Sequence, residues 1–199
     1  MKKSLFLFIS IIIISCSSDN NENYSDCINN ATLNNEFMYQ CQTYKTEAGR
    51  ISVSNNIQNQ TCSCMLNLVN SEYGDFIFNE GDDNINAVNI WLSIPSTYYA
   101  LQELPVGTYL HRDYNDDPLT LDIVTLSTVA INSSLYRPNV NSSLYYSNPI
   151  ISQPESFNAA EVTVDRLPTG EYEINYYFEA EGKIIKGNYR GPLSFSPWN

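Results

Sequence analysis

Apolar and polar side chains alternate with a period of two through much of this chain, the pattern of half-buried β-strands. The clearest run is Glu171 to Glu179. Tyr172, Ile174, Tyr176 and Phe178 share one face, and Glu171, Glu173, Asn175, Tyr177 and Glu179 share the other. Glu181-Gly182 follows as a turn, and Lys183 to Tyr189 is predicted to return as the partner strand of a hairpin. Val88, Ile90, Leu92 and Ile94 alternate until Pro95, which cannot donate to a ladder. Cys62, Cys64, Leu66 and Leu68 share a face opposite Ser63, Met65, Asn67 and Val69. Further strands are predicted at Tyr109–Tyr114, Leu119–Leu126, Tyr145–Ile151, Val162–Asp165 and Leu193–Phe195. No long segment sustains a helical period.

Turn chemistry separates these runs at Gly74-Asp75, Gly81-Asp82, Pro105-Val106-Gly107, Asp117-Pro118 and Pro168-Thr169-Gly170. Short, evenly spaced strands with such turns predict an all-β fold, an antiparallel β-sandwich or open barrel of about 8–10 strands. Leu104-Pro105-Val106-Gly107-Thr108-Tyr109 and Leu167-Pro168-Thr169-Gly170-Glu171-Tyr172 echo one another as turns feeding strands. Two copies are too few for a repeat architecture. Ile131 to Pro154, rich in Asn, Ser, Tyr and Pro, is read as one or two edge strands within a large loop. Loops of that size are commonly functional, which makes this one a candidate binding surface.

The first residues break the pattern. Lys2 and Lys3 precede Leu5 to Ile14, an almost unbroken apolar run about half the length of a spanning helix, and Ile13-Ile14-Ser15 leads into Cys16. This is a secretory signal whose end resembles the lipobox of bacterial lipoproteins. That resemblance implies cleavage after residue 15, acylation of Cys16 and attachment to a membrane by lipid. Two or more acyl chains anchor stably, at about 0.8 kcal/mol per buried methylene. Ser17 in place of an aspartate resembles outer-membrane cargo. Ser17-Ser18-Asp19-Asn20-Asn21-Glu22-Asn23 has no hydrophobic period and reads as a solvated tether. Residues 16–25 would span about 17 Å as a random coil. Acids soon after the lipid cysteine resemble the surface-export signals of Bacteroidota-type lipoproteins, with Asp19 and Glu22 as a loose version. Cell-surface display on the outer membrane is the expectation, and its periplasmic face the alternative. The domain reading is therefore a signal peptide (1–15), a lipidated tether (16–25) and one β-rich domain (26–199).

Charge narrows the partners. Removing the leader takes away two lysines and no acid, leaving eight basic side chains against 22 acidic ones, a net charge of −14. Nucleic acid, which demands a basic footprint, is excluded as an expectation. So is lying flat on anionic lipid. Fifteen tyrosines in a chain that is 43% hydrophobic suit pleated, half-buried surfaces.

Cys27, Cys41, Cys62 and Cys64 form an even set in an exported chain, which favours disulfides. On one strand Cys62 and Cys64 would be about 6.6 Å apart with parallel side chains, too far for bridged β-carbons. Each is therefore expected to pair with Cys27 or Cys41, in either of two connectivities, stapling residues 26–69. A four-thiolate zinc site is the rival reading, weakened by the spacing of the cysteines.

Catalytic chemistry finds little support. His111 is the single histidine, and no Gly-x-Ser-x-Gly, His-Glu-x-x-His or phosphate-cradling motif occurs. Paired carboxylates for glycoside hydrolysis need only proximity in space, which keeps a small glycan hydrolase as a minor alternative. No cofactor is expected, with calcium as the exception. Asp82, Asn84 and Asn86, and likewise Asp113, Asn115 and Asp117, place oxygens at alternate positions as a calcium loop does. Ala87 and Pro118 stand where such a loop needs glycine, and an Asp/Asn-rich turn explains both runs. Tyr98-Tyr99, Tyr145-Tyr146 and Tyr176-Tyr177 would each put one ring on either side of a strand, the outward ring free to stack on a sugar or a partner.

Taken whole, the chain resembles the small surface lipoproteins of Bacteroidota. Gly170-Glu171-Tyr172 through Gly187-Asn188-Tyr189-Arg190-Gly191-Pro192-Leu193-Ser194-Phe195 resembles their terminal hairpin. The resemblance implies a β-sandwich on a lipid anchor with a non-catalytic binding or structural role. Its ligand would be a glycan or a protein. The alternative is a periplasm-facing accessory subunit of an outer-membrane complex.

Overall fold

The computed structural model of the chain describes residues 26–54, 61–111, 124–139, 142–152 and 157–198. Within them fourteen strands run in chain order: β1 (Glu36–Tyr39), β2 (Gln42–Lys45), β3 (Ala48–Ser54), β4 (Thr61–Val69), β5 (Ile85–Pro95), β6 (Gly107–Leu110), β7 (Val124–Ser133), β8 (Leu135–Tyr136), β9 (Tyr145–Tyr146), β10 (Pro149–Ser152), β11 (Phe157–Arg166), β12 (Tyr172–Ala180), β13 (Lys183–Gly191) and β14 (Leu193–Trp198). They form one sheet in the order β2-β1-β13-β12-β11-β6, a second in the order β10-β7-β5-β4-β3-β14, and a two-stranded arm, β8-β9. The two large sheets pack as a sandwich, the expected fold class, with more strands than expected. All pairings are antiparallel except β14, which runs parallel to β3.

Alternation fills the space between the sheets. Tyr172, Ile174, Tyr176 and Phe178 of β12 meet Val88, Ile90, Leu92 and Ile94 of β5 and Cys62, Cys64, Leu66 and Leu68 of β4 in one core. Burying each large apolar side chain contributes about 1.5–3 kcal/mol. The β12–β13 hairpin turns through Glu181 and Gly182, both at positive φ (51° and 70°), the backbone of a two-residue I′ turn. Tyrosine rings lie over glycines where the strands come closest. Tyr176 sits over Gly187, its partner in register, and Tyr189 covers Gly49 and Gly191.

The disulfide expectation is corrected. Cys27 bonds to Cys41, 14 residues on, and Cys62 and Cys64 are free thiols buried in the core. Both thiols point inward from β4, a central strand of the second sheet, whereas Cys41 lies in the β1–β2 turn of the first. Packed sheets stand about 10 Å apart, and bridged β-carbons must come within about 4.5 Å. The bridge thus fixes only the helical residues 26–30 to the β1–β2 hairpin. There Ile28 is buried, and its carbonyl accepts a bond from Lys186 Nζ at 2.8 Å on the outer side of the first sheet. Burial pushes the Cys64 thiol well above its ordinary pKa.

Candidate binding site on the outer face of the second sheet

The outer face of the second sheet is half covered. Ala48, Val69, Ala87 and Ala130 lie in one cross-strand row of small side chains. Two segments settle there: residues 70–84, bringing Tyr73, Phe76 and Phe78, and the β8–β9 arm, bringing Leu135, Leu144 and Tyr146. Small residues beneath leave room for rings above, so this second cluster follows from sequence by size complementarity.

Polar groups lock the two segments together. Gly81 N–H donates to Leu135 O at 2.9 Å and Leu135 N–H to Asp82 O at 2.8 Å. Tyr73 donates its hydroxyl to Asp83 O at 2.6 Å. Asn70 Oδ1 accepts from Asn86 N at 3.0 Å, and Asn86 Oδ1 from Asn132 N at 3.0 Å. In the arm, Arg137 Nη1 donates to Ser142 O at 2.9 Å, bracing the turn side.

The arm has two faces. Leu135 pairs with Tyr146, both directed at the sheet, and Tyr136 pairs with Tyr145, both directed outward. The outward rings stand 6.2 Å apart at 40°, with 44% and 50% of their surfaces exposed. Tyr146 is the packed ring, hydrogen-bonded to the Asn89 side chain, and burial raises its phenol pKa. The expected division, one ring packed and one in water, therefore describes Tyr145-Tyr146.

At the border between covered and uncovered sheet lies Arg50. Its guanidinium carbon is 4.5 Å from the centroid of Phe76, within cation–π range. Tyr146 is its other close neighbour, and burial lowers its pKa. A guanidinium remains charged at neutral pH even so. Its Nε is buried with no hydrogen-bond acceptor. Lys45, Arg166 and Lys183 pair with Glu36, Glu103 and Glu181. Arg50 has no such carboxylate among the described residues. Ser194, Arg50, Asn67, Asn89 and Thr128 are cross-strand neighbours in one continuous row on this face.

The other sequence candidates scatter. Tyr98 and Tyr99 lie on the short helix Thr97–Leu101, not on a strand, and pack against the main core. A five-residue helix carries no readable period, which is why strand geometry was expected. Asp82 Oδ2 accepts from Asn79 N at 2.7 Å, Asn84 Nδ2 bonds Asp83 Oδ1 at 2.8 Å, and Asn86 is committed to Asn132. These side chains make hydrogen bonds within the loop and to β7, and no group of three His, Cys, Asp or Glu side chains that could hold a metal ion occurs among the described residues. Asp113, Asn115, Asp117 and Cys16 lie outside the described residues. His111 follows β6, its backbone N–H donating to Ala160 O at 2.9 Å. On the opposite side of the sandwich, Glu161, Thr163, Asn175, Tyr177 and Lys186 line a depression of about 140 Å³. That is well below the roughly 300 Å³ of a usual ligand pocket. Asn188 Nδ2 bonds Asn175 Oδ1 beside it at 2.9 Å, and Lys186 is held by Ile28.

No protein-family model, curated protein or solved structure matches the chain.

Proposed function

We propose that this protein is a lipid-anchored module of the outer-membrane surface that binds a glycan without transforming it. The observation that carries the reading is the pair of outward tyrosines, Tyr136 and Tyr145, presented on an arm whose other face is packed down. Rings held in place cost little entropy when a sugar stacks on them. Uncharged hydrogen-bonding side chains, Asn67, Asn89 and Thr128, flank the arm in the sheet beneath. Residues 26–30 sit against the first sheet.

The test is a saccharide panel titrated by calorimetry against the mature protein in detergent. Replacing both tyrosines by alanine is expected to weaken binding at least tenfold with an unchanged melting temperature. Full retention of affinity by the double variant, or no binding anywhere in the panel, overturns the reading. Turnover of a bound saccharide that disappears on mutating clustered carboxylates would replace it with the hydrolase alternative. For the anchor, Cys16→Ala is expected to release the protein from membranes, and protease added to intact cells is expected to degrade the wild type.

A further inference from the structure

Arg50 is an unusual cation for so acidic a chain. The paired cations meet carboxylates at the surface, whereas Arg50 lies half-buried with its guanidinium over the Phe76 ring and Tyr146 nearby. Its Nε is buried without an acceptor, so the edge available to a ligand is the Nη pair. Two parallel N–H donors fit the two oxygens of a carboxylate. Stacking against Phe76 removes rotamer freedom in advance, and partial burial strengthens the charge by excluding water. The neighbours in its row, Ser194, Asn67 and Asn89, are all neutral; each makes one bond within the fold, to Gly49 O, Met65 O and Tyr146, and keeps further hydrogen-bonding capacity. They suit the hydroxyls of a sugar ring.

We propose that Arg50 is a carboxylate-recognition residue, and that the outer face of the second sheet selects a glycan carrying one acidic sugar on an otherwise neutral oligosaccharide. The ligand should not be a polyanion. The whole chain carries a formal charge of −12, and a single half-buried guanidinium cannot offset repulsion along a multiply charged partner. The same argument disfavours an acidic protein surface. This inference rests on the glycan-binding reading above and adds the chemistry of its ligand.

The experiment compares N-acetylneuraminyl-lactose, which bears one carboxylate, with lactose, which bears none, on the mature protein in detergent. Wild type is expected to bind the acidic trisaccharide at least tenfold more tightly, and free glucuronate to compete for it. Arg50→Met should bring the two affinities level. Arg50→Lys keeps the charge and stem but loses the fork, and should shrink the preference at least threefold. Near-UV circular dichroism checks each variant for folding, and the lysine variant decides if the methionine variant unfolds. Equal affinity for the two sugars in wild type, or an undiminished preference in a folded variant, overturns the carboxylate assignment. Tyrosine-dependent lactose binding would still leave the glycan reading standing. Failure of both sugars and of the wider panel removes both readings.

Discussion

Gly49→Ala tests whether the two sheets are held apart by one tyrosine. Gly49 lies in β3 without positive φ, so its backbone would accept alanine, and losing a glycine's unfolded-state freedom should by itself stabilise by about 0.4–1 kcal/mol. Space decides the opposite. A β-carbon there would stand 2.8 Å from Tyr189 Cζ, 2.9 Å from its hydroxyl oxygen and 2.5 Å from Leu193 Cδ2. Carbon pairs are comfortable near 3.5–4.0 Å, so the ring must retreat by roughly 0.7 Å. Leu193 can rotate away. Tyr189 cannot, because its ring is 1% exposed and its hydroxyl donates to the Pro192 carbonyl. Overpacking of this kind costs about 1–3 kcal/mol, which outweighs the entropic gain. A net loss of about 1–2 kcal/mol is expected, lowering the melting temperature by about 2–8 °C for a domain of this size. Urea unfolding followed by tyrosine and tryptophan fluorescence gives the midpoint. The control is the same substitution on a Tyr189→Leu background, where the ring is gone and alanine should be neutral or stabilising. The coupling between the two sites should then be at least about 1 kcal/mol. An unchanged or raised midpoint for Gly49→Ala alone refutes the reasoning.

Three further outcomes are expected. Reducing Cys27–Cys41 should destabilise by up to about 3 kcal/mol, the scale for a loop of this length, and increase amide exchange in residues 26–30 before the β-core. An unchanged urea midpoint would show that Ile28 packing alone holds that segment. In a Cys16→Ala variant, Cys62 and Cys64 should ignore a thiol reagent in the folded state and titrate as two thiols in urea with the bridge intact. Four thiols, or none, would refute the assignment. Finally, burial pushes the Tyr189 phenol from 10.0 up to about 12. The unfolded chain releases that proton first, so this contribution is intact below pH 10 and is lost as pH rises from 10 to about 12. Urea midpoints across that window should fall less steeply in Tyr189→Phe, and identical slopes would remove the residue from the alkaline transition.

Legibility followed burial. β4, β5, β12 and β13 have one face in the core and one toward water or half-covered, so their alternation reads directly. β1 was hidden because Phe37 and Met38, adjacent in sequence, are both buried. Phe37 faces the core, whereas Met38 is opposite Lys186 on the outer side, where Ile28 packs. β3 was hidden because its inward positions begin with Gly49, and a glycine reads as a break until the Tyr189 ring above it is seen. The cysteine pairing depended on which sheet each strand joined, which spacing cannot reveal. Within the candidate site, Tyr145 was legible as half of a tyrosine pair in a long polar loop. Tyr136 became its partner only through β8–β9 register. Arg50 left one trace, its place opposite Ile51 and Val53 in the alternation, and its missing carboxylate is a property of the folded surface alone.

The parallel pairing of β14 with β3 joins segments some 145 residues apart, with Ser194 Oγ reaching Gly49 O across the join. Until residues 193–198 arrive, β3 presents an open row of backbone donors and acceptors to any passing strand. A chain made from its amino end therefore cannot seal that seam before residues 193–198 are added. Closure waits on residues 193–198, and contacts between such distant segments form slowly. That edge of β3 is a pairing liability for as long as residues 193–198 are missing.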